Sequence, residues 1–170
     1  LFKTQSAGGP HWLQIKSLKE KILIEDILFG EVWIAAGQSN MEMNFDYCCN
    51  TTDNSIYEIN SANYPSIRMF NVEKNLSYKP IDNLNGSWVP AIGKQIIDFS
   101  AVGYFFAKNL HQSLKIPIGI IHASWGGSRT EAWTSHEVLI NVEEYQDSMK
   151  KLKLESIQNM ELQDFLQIYN

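Results

Sequence analysis

The feature that most constrains the fold is a short apolar run that ends in a polar turn. Residues 31–36 read Glu-Val-Trp-Ile-Ala-Ala, and residues 37–41 follow at once as Gly-Gln-Ser-Asn-Met. A short apolar run bounded by glycine is typical of a strand buried in a parallel sheet. Because ligands of open parallel sheets bind beyond the carboxyl ends of the strands, Ser39 is well placed to act as a nucleophile.

The turn itself permits two interpretations. A tight glycine turn leaves backbone N–H groups unpaired, and such donors can hold the oxyanion of a tetrahedral intermediate. The turn is not the G-x-S-x-G elbow of α/β hydrolases, because position 41 is Met. The alternative is a plain strand-to-helix turn that Ser39 or Asn40 caps. Spacing alone leaves both interpretations open.

The rest of the chain alternates between strand and helix patterns. Strands are predicted over residues 66–72 and 117–123, and helices over 55–60, 100–114 and, as one long amphipathic helix, from 142 to 160. Residues 73–98 are predicted to be rich in loops. Strands separated by helices of this length predict an α/β fold with a parallel sheet and helices on its faces.

The first 29 residues have a different pattern. Residues 11–15 and 22–29 alternate as two β-strands, and a turn signal at 7–10 precedes them. We interpret residues 1–29 as the C-terminal strands of a preceding β domain. Residues 30–170 are then the N-terminal part of an α/β domain whose C-terminal part is expected beyond Asn170.

Composition excludes two classes of partner. The 14 Lys and Arg residues are outnumbered by 19 Asp and Glu residues, for a net charge of −5. Nucleic acids and anionic membrane surfaces require a basic face, so neither is an expected partner. No apolar run approaches the roughly 18 residues that a membrane-spanning helix needs, so no membrane span is expected.

A second polar stretch follows the strand at 117–123. Residues 124–133 read Ser-Trp-Gly-Gly-Ser-Arg-Thr-Glu-Ala-Trp. Two glycines allow the backbone to approach a ligand closely, and the two tryptophans offer flat faces for a sugar ring. A buried position in the core is the alternative for the tryptophans. A phosphate-binding loop is not favoured, because the lysine and spacing of that motif are absent.

These blocks together resemble the sialate O-acetylesterase family of the SGNH hydrolases. The matching segments are residues 29–42, which contain Gly-Gln-Ser-Asn-Met-Glu, residues 99–107, and residues 116–133 with Trp-Gly-Gly and Glu-Ala-Trp. The resemblance implies a three-layer α/β/α, flavodoxin-like fold preceded by a β domain. It also implies hydrolysis of O-acetyl groups on sialic acids, without a metal or another cofactor.

The resemblance also implies roles for single residues. Ser39 matches the family nucleophile, and its own backbone N–H is implied as one oxyanion donor. The residues implied to line the substrate pocket or to stabilise the oxyanion are Gln38, Gly103, Gly126, Gly127 and Glu131. Gly103 is the weaker candidate, because its segment also reads as a packed helix.

One element of the family pattern is missing. SGNH enzymes place the catalytic Asp and His in a D-x-x-H motif, and this chain has none; its histidines are His11, His111, His122 and His136. His122 lies within the strand predicted over residues 117–123, and a histidine in a strand is expected to be a packed, hydrogen-bonded residue rather than a base. A serine hydroxyl is a poor nucleophile without a base. We therefore expect the catalytic Asp and His beyond Asn170. We also expect residues 1–170 alone to hydrolyse esters slowly and to be poorly stable.

Two alternatives to this function stay open. The chain can instead belong to a non-catalytic carbohydrate-binding relative that kept the serine loop and lost the base. It can also be part of an acetylesterase of the same fold that acts on another acetylated sugar, such as acetylated xylan. These motifs do not distinguish the sugars.

Cysteine and sequon usage bear on the compartment. Cys48 and Cys49 are adjacent, and a disulfide between neighbours is strained, so they pair elsewhere or stay free. N-glycosylation sequons begin at Asn50, Asn75 and Asn85. Together with the resemblance, they predict a glycoprotein of the secretory pathway, either lysosomal or secreted.

Overall fold

The computed structural model describes residues 5–46, 54–77 and 81–151. It begins with an antiparallel hairpin of β1 (Gly8–Lys16) and β2 (Lys21–Phe29), which form a two-stranded sheet of their own. This confirms the predicted β-strands. The Arg68 guanidinium forks onto both carboxylate oxygens of Asp26 at 2.6 and 2.8 Å, which ties β2 to the strand that carries Arg68.

The main sheet has four strands in the order β3-β6-β4-β5. The strands are β3 (Glu31–Gly37), β4 (Asn63–Asn71), β5 (Trp88–Ile92) and β6 (Ile118–Ser124). β6 lies between β3 and β4 and runs parallel to both. The structure therefore has the predicted mixed α/β character, with the predicted strands in a parallel arrangement.

The segment predicted to be rich in loops contains a strand that the sequence pattern missed. β5 lies within residues 73–98 and pairs with β4 in the antiparallel sense. Its centre is Pro90, and proline is disfavoured in the middle of a sheet because it lacks the N–H of a ladder hydrogen bond. β5 is at the edge of the sheet, where one side of a strand has no partner and proline is tolerated.

The helices of the first compact part of the chain are α1 (Ser39–Glu42), α2 (Ser55–Ser61) and α3 (Ala101–Leu114), with a 3-10 turn at Gly93–Ile96. Both α2 and α3 confirm predictions. The Ser100 hydroxyl caps α3 by accepting the N–H of Gly103 at 3.0 Å. α3 packs on β6 and β4.

The core lies between α3 and one face of the sheet. Its members are apolar residues from the strands, from α3 and from the segment before α3, chiefly Phe45, Ile67, Met69, Ile96, Phe99, Tyr104, Ala107, Ile118 and Ile120. On the opposite face, Val32 is 60% exposed and Ile34 is 70% exposed. β3 is therefore an apolar edge strand of the described sheet.

The chain divides into two compact units, and the second joins residues 74–84 to those from Gly127 onward. That unit contains 3-10 turns at Thr130–Trp133 and Glu143–Tyr145 and the helices α4 (His136–Leu139) and α5 (Gln146–Lys151). The long helix predicted from residue 142 begins instead at Gln146. Its predicted continuation after Lys151 lies outside the described residues.

Candidate functional site

The serine turn is built by a glycine that no other residue can replace without strain. Gly37 ends β3 with a φ of 154°, and a Cβ there would lie 3.2 Å from Cβ of Met41. The Gln38 carbonyl then accepts the N–H groups of Met41 and Glu42 at 3.0 and 2.9 Å, which starts α1. Ser39 is exposed at this helix start.

The glycine loop after β6 lies directly beside the serine turn. Gly37 and Ser124 are partners in the parallel register, and the Trp125 N–H donates to the Gly37 carbonyl at 3.0 Å. A Cβ built on Gly126 would lie only 3.6 Å from Cβ of Ser39. The carboxyl ends of neighbouring strands thus bring Ser39 and Gly126 together, and the implied pocket role of Gly126 stays a prediction.

Sequence reasoning missed Glu42 as a member of this site. Its carboxylate accepts the N–H of Gly126, so α1 and the glycine loop are joined by a charge-assisted hydrogen bond. A Cβ on Gly126 would approach that oxygen to 2.8 Å. Gly126 therefore lies at the serine as a residue without a side chain, and its amide is engaged by Glu42. In the sequence, the one signal for Glu42 is its position at the end of the Gly-Gln-Ser-Asn-Met-Glu motif.

Gly103 does not have a free amide to offer an oxyanion. Its N–H donates to the Ser100 hydroxyl, and a Cβ there would lie 3.3 Å from the Ser100 side chain. The residue is buried in the first turn of α3. The interpretation of this segment as a packed helix is therefore the one that the structure supports, and the oxyanion role of Gly103 stays a prediction.

The other two predicted pocket residues, Gly127 and Glu131, belong to the second unit. Gly127 has a φ of 78°. The Tyr145 hydroxyl donates to Glu131 Oε1 at 2.8 Å. The backbone N–H of Glu131 and then this hydroxyl hold the pKa of its carboxyl below the usual range. In the same unit, Trp133 donates its indole N–H to Ser128 at 2.8 Å and stays 46% exposed, so it is not a core tryptophan.

None of the four histidines is hydrogen-bonded to Ser39. His11 is exposed and packs edge-on against Phe29, His111 bonds the Ile116 carbonyl through Nδ1 at 2.6 Å, and His136 begins α4. His122 is buried and bonds two other side chains, as predicted for a packed histidine in a strand. Among the described residues, no side chain is hydrogen-bonded to Ser39 Oγ, so none of them is placed to act as its base.

Two of the three sequon asparagines are described. Asn75 and Asn85 are both exposed, and the Asn85 amide donates to Glu73 at 3.0 Å. Exposure is what a glycan acceptor requires, and glycosylation stays a prediction. Asn50, Cys48 and Cys49 lie outside the described residues.

The described part of the chain contains neither a metal-binding cluster nor a membrane-spanning helix. Within it, no group of three or more His, Cys, Asp or Glu side chains is arranged to hold a metal ion. No helix in that part is long and apolar enough to cross a membrane.

These observations define a class of protein: a mixed α/β protein with an exposed serine in a tight turn at the carboxyl edge of a parallel sheet. Comparison with known proteins then gives the family. The chain belongs to the carbohydrate esterase family of sialic acid-specific acetylesterases, whose family model matches residues 29–166.

Individual relatives agree with this assignment. The chain is 35% identical over 144 residues to the sialate O-acetylesterase of Mus musculus and 33% identical over 140 residues to that of Homo sapiens. These matches cover 78% and 75% of this chain but only 26% of each relative. The chain therefore spans about a quarter of the length of these relatives.

A solved structure agrees as well. A carbohydrate acetylesterase from Xanthomonas citri superposes with a TM-score of 0.75 and is 37% identical, over 81% of this chain and 31% of that one. The similarity therefore extends to the arrangement of the backbone as well as to the sequence.

Proposed function

We propose that this chain carries the nucleophile of a serine esterase that removes O-acetyl groups from sialic acids. The observation that carries the proposal is the exposed Ser39, which follows Gly37 at the sheet edge and has Gly126 beside it. The names of the relatives supply the substrate class, and family membership supports it for this chain.

The mechanism would use Ser39 in two steps. Its Oγ attacks the acetyl carbonyl while a base takes the proton, and the tetrahedral oxyanion is held by the Ser39 N–H at the start of α1. The sugar hydroxyl leaves with the proton, and water then releases acetate from the acetyl-enzyme. Because no described side chain is hydrogen-bonded to Ser39 Oγ, we assign the base to a histidine outside the described residues.

The finer fold assignment belongs to the same proposal. The β3-β6-β4 parallel arrangement with α3 on one face supports a three-layer α/β/α fold of the SGNH type. In that fold, a second helical layer covers the face that exposes Val32 and Ile34. Residues 1–29 would be the end of a preceding β domain, and their separate two-stranded sheet supports that division.

We also propose a secretory location, lysosomal or extracellular. The exposed sequon asparagines Asn75 and Asn85 support it, because glycans are added to accessible side chains in the secretory pathway.

Ser39→Ala tests the proposal in the full-length protein. Loss of a triad nucleophile costs several orders of magnitude in rate, so the variant should lose hydrolysis of nitrophenyl acetate and of O-acetylated sialic acid. Ser113→Ala is the matched control, since Ser113 is an exposed serine on α3. A folded Ser39→Ala protein with near-normal turnover would refute the nucleophile assignment.

The same assay separates the alternatives. A non-catalytic carbohydrate-binding relative would bind the sugar and release no acetate, with or without Ser39. An esterase for another sugar would release acetate faster from acetylated xylan fragments than from O-acetylated sialic acid. The enzyme proposed here should release acetate faster from O-acetylated sialic acid than from acetylated xylan fragments.

A further inference from the structure

A second serine of the chain already has a histidine partner. Ser124 ends β6, and its Oγ lies 2.5 Å from Nε2 of His122, two residues earlier on the same face of the strand. On the other side of the imidazole ring, Nδ1 lies 2.8 Å from Oδ1 of Asn71. Asn71 ends β4 and is the parallel-register partner of His122. Two strand ends thus assemble a serine, a histidine and an asparagine in sequence.

The polarity of this chain of hydrogen bonds is set by the asparagine. Asn71 donates its Nδ2 to the Asp98 carbonyl at 3.2 Å, and this turns Oδ1 towards the ring. An oxygen facing Nδ1 requires the proton on Nδ1, which leaves the lone pair of Nε2 to accept the Ser124 hydroxyl. Phe99 packs edge-on against the ring, with 5.3 Å between centroids. The imidazole is therefore held in the tautomer that a general base needs.

The other buried serines of the described residues lack this arrangement. The Ser100 hydroxyl caps α3 and contacts the Met41 sulfur at 3.5 Å, which is a structural role. Ser55 is equally buried, at the first position of α2. Neither is hydrogen-bonded to a histidine, whereas Ser124 has both a base and a residue that orients the base.

We propose that Ser124 is a second reactive serine of this chain, activated by His122 and Asn71. Its position at the carboxyl end of β6, opposite Gly37, is where parallel sheets present reactive groups. Ser124 and His122 are each only 9% exposed, so the proposal is limited to small electrophiles and does not extend to a glycan. It is independent of Ser39 and of the acetylesterase function.

The chemistry is a simple displacement. With a small dialkyl fluorophosphate, Ser124 Oγ forms a bond to phosphorus, the P–F bond breaks, and fluoride leaves. His122 Nε2 takes the hydroxyl proton and later loses it to solvent. With a small activated ester, the same serine would take the acyl group and release the alcohol, which receives the proton from His122.

The test uses the full-length protein with Ser39→Ala, a change at an exposed position that leaves the sheet intact. After incubation with the fluorophosphate, peptide mapping by mass spectrometry should locate the dialkyl phosphate on Ser124. Ser55 and Ser100 should stay unmodified and serve as internal controls. Labelling of Ser39 in the unaltered protein reports on the acetylesterase proposal separately.

Two further variants test activation by the histidine. In the Ser39→Ala background, His122→Gln should slow the labelling of Ser124 by about 10²- to 10⁴-fold, the usual contribution of a positioned base. Asn71→Ala, at an exposed strand end, should slow it as well and keeps the test valid if His122→Gln fails to fold. No label on Ser124, or a labelling rate that Asn71→Ala leaves unchanged, would overturn the proposal.

Discussion

Replacing Glu58 by alanine should destabilise the protein strongly. Glu58 lies in α2, and its Oε1 accepts the Tyr104 hydroxyl and the Lys108 ammonium from α3, each at 2.5 Å. The side chain of Glu58 is 10% exposed and that of Lys108 is 20% exposed. Removal of the carboxylate would leave the buried hydroxyl without its acceptor and the ammonium without its counter-ion.

The structure sets the size of the effect. Breaking a buried ion pair by removing one partner costs about 3–5 kcal/mol, and the partial exposure of Lys108 places this case near 3 kcal/mol. For a domain of about 150–250 residues that corresponds to a loss of about 6–12 °C in Tm. Glu58→Gln keeps an oxygen acceptor and the side-chain volume, so it should cost only about 1–2 kcal/mol.

The pH dependence has a definite sign. Burial raises the pKa of Glu58, but the hydrogen bonds from Lys108 and Tyr104 together outweigh it, so the pKa lies below the ordinary value of 4.5. A carboxyl with a lowered folded-state pKa contributes its full stability above the unfolded value and loses it as the pH falls through the folded value. The stability gap between the natural protein and Glu58→Gln should therefore be constant above about pH 5.5 and narrow below 4.5.

Urea unfolding followed by circular dichroism at a series of pH values measures these differences. Lys108→Met, made alone and with Glu58→Ala, completes a double-mutant cycle whose coupling energy should be about 1–3 kcal/mol. Additive effects of the two substitutions would refute the reasoning. So would a difference in unfolding free energy between the natural protein and Glu58→Gln that grows as the pH falls.

Three further predictions concern the site and its surface. Glu42→Ala should lower kcat about 10- to 100-fold by releasing the Gly126 loop, whereas Glu42→Gln keeps an acceptor and should recover most of it; equal kinetics for both would contradict this. Gly126→Ala should lower the esterase rate at least about tenfold at nearly unchanged Tm, since its Cβ meets Glu42 at 2.8 Å; normal rates would argue against it. Glycosidase treatment of the native protein should lower its mass unless Asn50, Asn75 and Asn85 are all replaced by Gln, and an unglycosylated cytosolic protein would disprove the secretory location.

The sequence alone predicted the local elements of the first unit. Each of these elements follows from the burial of side chains within one segment. The patterns are the apolar run before Gly37, the alternation in β4 and the helical spacing of α3. The serine turn was equally readable, because a glycine with positive φ followed by a polar helix start is a local feature. Comparison of these blocks with a known family then supplied the functional hypothesis.

The tertiary structure decided which of these elements meet. Periodicity shows which face of a segment is buried but not which segment covers it. The hydrogen bond between Glu42 and Gly126, 84 residues later, therefore could not be predicted from the sequence pattern. The antiparallel β5 was missed for the same reason, since Pro90 is acceptable only because β5 is an edge strand.

The histidine in β6 shows the same division most clearly. From the sequence, His122 was predicted to be a packed, hydrogen-bonded residue, and it is one. Its partners depend on two strand ends, because Ser124 lies on its own strand while Asn71 reaches it only through the β4–β6 register. Hydrogen-bond geometry between distant segments follows from the sheet order, and no local pattern encodes that order.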